Sequence, residues 1–132
     1  MDRVFLDANV LFSAAYRPDS GLRHLWALTK VELVTSVYAL EEARANLESD
    51  QQRDRLGELM RQVSIIMEAA DDRVIPPSLR LAEKDRPILA AAIGAGASHL
   101  LTGDAADFGL HFGRTVQGVR ILRPAEYFRQ RK

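Results

Sequence analysis

The chain has 132 residues, 47% hydrophobic and 27% charged, which are the proportions of a soluble globular protein; the simplest reading is one domain over residues 1–132. It lacks cysteine, which excludes disulfides and thiolate metal sites and fits a reducing compartment, so a cytoplasmic location is expected. Eighteen Lys and Arg balance eighteen Asp and Glu, so net charge announces no polyanionic partner. The opening Met1-Asp2-Arg3-Val4-Phe5-Leu6-Asp7 turns acidic too early for a signal peptide, and no apolar run approaches the roughly 18 residues needed to span a bilayer.

Val4-Phe5-Leu6 reads as a strand buried on both faces, ending at Asp7. Ala8 to Tyr16 is apolar with small residues, a helix broken by Pro18-Asp19-Ser20-Gly21. Leu22, Leu25, Trp26 and Leu28 fall near helical spacing and suit core packing, with an apolar interface as the other option. Glu32 to Thr35 is a second strand, and Ser36 is placed to cap a helix over Val37–Leu47 that turns Leu40, Ala43 and Leu47 inward. A further helix covers Arg53–Gln62, and the β-branched content of Val63 to Met67 favours a third strand. Asp71 to Pro77 is a loop. Asp85 to Ala95 is the clearest helix, with Asp85 able to cap it, Pro87 in its first turn and Gly94 and Gly96 at its end. His99 to Thr102 is a strand closed by Gly103-Asp104, Val119 to Leu122 is the last strand, and Pro124 opens a terminal helix to about Gln130. Strands alternating with helices predict an α/β domain with a parallel sheet covered on both faces. Ligands of such sheets gather beyond the C-terminal strand ends.

That is where four acids fall: Asp7, Glu42, Asp85 and Asp104. Each has an ordinary use, as turn residue, helix cap or partner of a helix dipole, and the Glu41-Glu42 doublet leaves its register open by one. Together they supply the hard oxygen donors that Mg²⁺ or Mn²⁺ needs, and carboxylates so gathered repel one another without a cation between them. Asn9 is a further oxygen or hydrogen-bond donor beside Asp7. His24, His99 and His111 are scattered, without the spacing of a zinc site. The stretch from Arg114 to Lys132 carries a surplus of +5, leaving −5 on the rest. This is a solvated terminal segment or a phosphate contact.

The opening Val4-Phe5-Leu6-Asp7-Ala8-Asn9, the segment Ser36-Val37-Tyr38-Ala39-Leu40-Glu41-Glu42, the helix Lys84-Asp85-Arg86-Pro87-Ile88-Leu89-Ala90-Ala91-Ala92 and the strand His99-Leu100-Leu101-Thr102-Gly103-Asp104 together resemble the PIN domain family. Its members include the VapC-like ribonuclease toxins of toxin–antitoxin pairs. The likeness runs from about Val4 to Phe128. It implies a three-layer α/β/α sandwich with a central, mostly parallel sheet, and Mg²⁺ or Mn²⁺ held by Asp7, Glu42, Asp85 and Asp104. Asn9, Thr102 and Asp107 would be supporting residues. It further implies RNA as substrate, a small antitoxin as possible partner and a possible homodimer. Arg86, Arg17, Arg114 and Arg120 are the basic residues expected to hold an RNA backbone against so many carboxylates. Two rivals are a nuclease-like module that grips RNA or protein without cutting, and a haloacid-dehalogenase-like phosphatase with Asp7 as nucleophile. The second is weakened by Asn9, where that family's D-x-D has a second Asp.

Overall fold

The computed structural model describes residues 1–68 and 70–131; Lys132, the last charge of the basic tail, lies outside them. Five parallel strands and one antiparallel strand form a single sheet in the order β3-β2-β1-β4-β6-β5. The strands are β1 (Asp2–Leu6), β2 (Val31–Ser36), β3 (Val63–Ile66), β4 (His99–Leu101), β5 (Thr115–Val116) and β6 (Val119–Leu122). Strands β1 and β4 are central because their side chains are apolar on both faces: Val4, Phe5, Leu6, Leu100 and Leu101 have no exposed surface.

The chain leaves β1 towards β2 and β3, then returns across the sheet to pair β4 with the free flank of β1, Val4 level with His99 and Leu6 with Leu101. Connections beyond β1 and β4 therefore diverge and leave a crevice between the C-terminal ends of those two strands. Helices α1 (Ala8–Tyr16), α2 (Val37–Asn46) and α3 (Asp50–Met60) belong to the outward leg and pack around α1. Helix α4 (Arg86–Gly94) lies on the return leg, which right-handed crossover places on the other face. Short α5 (Ala105–Phe108) follows β4, and α6 (Pro124–Gln130) closes the described chain.

Most expected boundaries hold, and the differences have local causes. The Leu22–Leu28 segment is a 3-10 helix over Gly21–Ala27; Leu25 enters the core, and the Trp26 indole N–H donates to the Leu59 carbonyl at 2.9 Å. Helix α3 begins three residues before the expected Arg53, because Ser49 and Gln52 form a reciprocal capping box. Strand β5 was not expected. It is two residues long and joined to β6 by Gln117 and Gly118, both at positive φ, the pattern of a tight two-residue hairpin turn. The proposed capping role of Asp85 fails: its backbone is helical, a 3-10 turn over Glu83–Asp85 runs straight into α4, and its side chain makes no cap bond.

Candidate metal centre

Asp7 leaves β1 at the crevice and is 4% exposed. One carboxylate oxygen, Oδ1, accepts the Ala8 N–H at 2.6 Å, so the residue does cap α1. The other, Oδ2, accepts the Thr102 hydroxyl at 2.8 Å and, more weakly, the Asn9 amide at 3.4 Å. Asn9 also spans the crevice, donating to Thr102 Oγ1 at 3.2 Å and accepting the Gly103 N–H at 2.8 Å. Thr102, fully buried, takes the Asp104 N–H at 3.1 Å on the same hydroxyl. The ends of β1 and β4 are thus joined by polar bonds as well as by the sheet. Residues expected to support the site, Asn9 and Thr102, fix the direction of Asp7.

A cleft of about 420 Å³ opens above them, lined by Asp7, Asn9, Glu42, Lys84, Asp85 and Asp104 among others. All four acids singled out in the sequence line it. Of the doublet, Glu42 lines the cleft and Glu41 does not. Glu42 stands at the exposed rim, on the second turn of α2.

Asp85, Asp104 and Asp107 each offer an oxygen within 4.8 Å of the others. Asp107 therefore belongs to the cluster, at its outer end, though it is not among the residues that line the cleft. Its N–H also donates to Asp104 Oδ1 at 3.1 Å, which makes Asp104 the cap of α5. Asp85 is 6% exposed, and its Oδ2 has no hydrogen-bond partner among the described residues. A buried, unpartnered carboxylate oxygen is costly and asks for a proton or a cation.

The electrostatics carry the same strain. Burial pushes the Asp7 carboxyl up to about 6 against the pull of its Thr102 and Ala8 donors, and the charges of Glu42 and Asp104 raise it further. Burial, then Asp107, Asp104 and Asp7, raise Asp85 well above the carboxylate range. Asp107 moves the other way, lowered by hydrogen bonding with Asp85 and by Lys84. Oxygen donors at these positions, one left unpartnered, fit a hard divalent cation.

The basic residues are arranged differently from expectation. Arg86 does not turn to the cleft: Asp72 holds its guanidinium through two bonds of 2.8 and 2.9 Å, and the side chain is 23% exposed. Arg120 is level with His99, two residues short of the C-terminal end of β6, away from the acids. Arg114 is exposed on the way into β5 and is absent from the cleft lining. Arg17 borders a shallower hollow that shares Phe12 with the acidic cleft. Two cations missed in the sequence are nearer. Lys84 lines the cleft itself, and Arg123, stacked 4.7 Å from the Phe112 ring centre, lines an adjoining hollow with Asn9, Gly103 and Asp104. Arg123 directly follows β6, the same strand-end position that flagged the acids. Among the histidines, His99 stacks on Tyr127 and His111 is buried against the Arg80 carbonyl, so both are packing groups.

Fold and cleft together define a class: an α/β domain with a carboxylate-lined crevice at the switch point of its sheet. A family model described as the PIN domain matches residues 3–106, and the chain belongs to that family. Two crystal structures share the fold. VapBC2 from Rickettsia felis, bound to a DNA fragment from their promoter, superposes with a TM-score of 0.67 at 18% identity, covering 92% of this chain and 98% of that one. FitAcB from Neisseria gonorrhoeae gives 0.55 at 20% identity with the same coverage of each chain. No curated protein matches significantly.

Proposed function

We propose that this chain is a Mg²⁺- or Mn²⁺-dependent endoribonuclease, the toxin of a cytoplasmic toxin–antitoxin pair, with Asp7, Glu42, Asp85 and Asp104 as its metal-holding carboxylates. The observation that carries the reading is the convergence of these four acids, from distant parts of the chain, on one cleft that also holds an unpartnered buried oxygen of Asp85. PIN membership supports nuclease chemistry. The neighbour crystallised as VapBC2 supports a small antitoxin as partner. A homodimer belongs to the same reading.

Held by these carboxylates, Mg²⁺ or Mn²⁺ would supply a water of lowered pKa and positive charge for the phosphate. The chain's residues do the positioning. Thr102 and Asn9 fix Asp7 in one rotamer, and the bond from the Asp107 N–H does the same for Asp104. Glu42 lines the cleft from the exposed second turn of α2. Such preorganised charge contributes most when it is aimed before substrate arrives. The geometry does not favour a phosphoaspartate route. Both oxygens of Asp7 already accept hydrogen bonds, and Asn9 provides no second carboxylate.

The test pairs metal titration with cleavage of pooled RNA. Wild type cuts in Mn²⁺ and stops in chelator, while Asp7→Asn and Asp104→Asn are folded and inactive. Unchanged cleavage in both variants rejects the assignment. Metal binding without cleavage of any RNA favours the non-catalytic module.

A further inference from the structure

Among the described residues, one cation, Lys84, lines the acidic cleft. Lys84 Nζ lies 3.1 Å from Asp107 Oδ2, and its stem lines the cleft beside Asp85 and Asp104. Its main chain is held from the other side, where the Tyr38 hydroxyl donates to the Lys84 carbonyl at 3.2 Å. The side chain remains 64% exposed, so the ammonium has open water on one side and three clustered carboxylates on the other. The neighbouring cation in sequence, Arg86, is tied to Asp72. Among the described residues, Lys84 is the cation that lines this cleft, and its one partner is an exposed pair with Asp107.

We propose that Lys84 is a resident counter-cation that changes partner: in the free protein it neutralises Asp107, and with RNA bound it releases Asp107 and holds a non-bridging phosphate oxygen at the cleft mouth. Two observations carry this. The unpartnered Oδ2 of Asp85 marks the inner end of the cluster as the place for a divalent ion, and the ammonium sits at the outer end, on Asp107. A Lys ammonium is a mobile point charge on a flexible stem, suited to exchanging one oxygen for another, whereas the fork of a guanidinium favours a fixed pair. The exchange makes and breaks no covalent bond. An exposed ammonium–carboxylate pair is weak, so releasing it costs little beside a phosphate contact.

The RNA half rests on the nuclease reading; the counter-cation half does not. The two halves predict opposite signs in one variant. Lys84→Gln removes a cation that competes with the metal, so Mn²⁺ affinity measured by calorimetry rises, by up to about fivefold. The same variant loses a phosphate contact, so KM for RNA rises by roughly three- to tenfold, with a shallower dependence on salt. Lys84→Arg restores Mn²⁺ affinity towards wild type but leaves KM raised, because its fork holds Asp107 as a fixed pair. Weaker or unchanged Mn²⁺ binding in Lys84→Gln overturns the counter-cation role, and an unaltered KM overturns the phosphate role. If wild type binds Mn²⁺ but cuts no RNA, the nuclease reading fails and the phosphate role with it. Calorimetry still decides the counter-cation role.

Discussion

Replacing Asp7 by Asn has an effect on stability opposite to that of most buried substitutions. The carboxyl is raised to about 6 in the folded protein, mainly by burial, against an ordinary value of 3.8. Because the folded value is the higher one, the stabilisation linked to its proton is fully present below about 3.8 and is lost as pH rises through about 6. A gap of about two units corresponds to about 3 kcal/mol carried against folding at pH 8 without metal. Asn removes the charge and keeps a carbonyl for the Ala8 N–H, but its amide replaces Oδ2 as acceptor for Thr102 and Asn9, at a cost of about 1 kcal/mol. The metal-free variant should therefore be more stable than wild type at pH 8 by about 2 kcal/mol, a rise in Tm of about 7 °C at this chain length. At pH 4 the advantage should vanish or reverse. Thermal melts in chelator at both pH values measure it. A variant that melts lower at pH 8, or with the same increment at both, refutes the argument that Asp7 is a strained charge awaiting a cation.

Three further outcomes follow from the same geometry. Saturating Mg²⁺ or Mn²⁺ should raise the Tm of wild type, by about 2.7 kcal/mol of stability at a hundredfold excess over Kd, and should restore wild type above Asp7→Asn; a melt indifferent to metal contradicts the site. Thr102→Val should cost about 1–3 kcal/mol and move the acidic limb of any pH–rate profile upward, since the lost hydroxyl is what pulls the Asp7 carboxyl down. Arg86→Ala should leave KM for RNA within about twofold and change stability little, because its partner is the exposed Asp72; a large rise in KM would return Arg86 to the substrate.

The sheet was legible in the sequence from its short apolar runs, Asp7 and Asp104 from their places just past two of those strands, and Glu42 and Asp85 from the motifs around them. Asp7 directly follows Val4-Phe5-Leu6, and Asp104 comes three residues after the apolar pair Leu100-Leu101. What was hidden depends on partners remote in the chain. Arg86 looked available until Asp72, fourteen residues earlier, closed on it. Asp107 looked like a helper until α5 turned it back towards Asp85. Asp85 had every local mark of a helix cap, but the preceding 3-10 turn runs directly into α4 and frees its carboxylate for the cleft. A two-residue strand such as β5 has no periodicity to detect, and its hairpin signal rests on Gln117-Gly118, where Asn-Gly is the stronger mark.

The return of the chain to the open flank of β1 has a consequence for synthesis. Asp7 is made nearly a hundred residues before its counterparts Thr102 and Asp104, and β4 has no outer neighbour until β6 emerges. At about 5–20 residues per second the nascent chain spends roughly 5–20 s without the second wall of its crevice. The crevice is thus completed only after β4 and β6 have both left the ribosome, and until then its acids have no common wall.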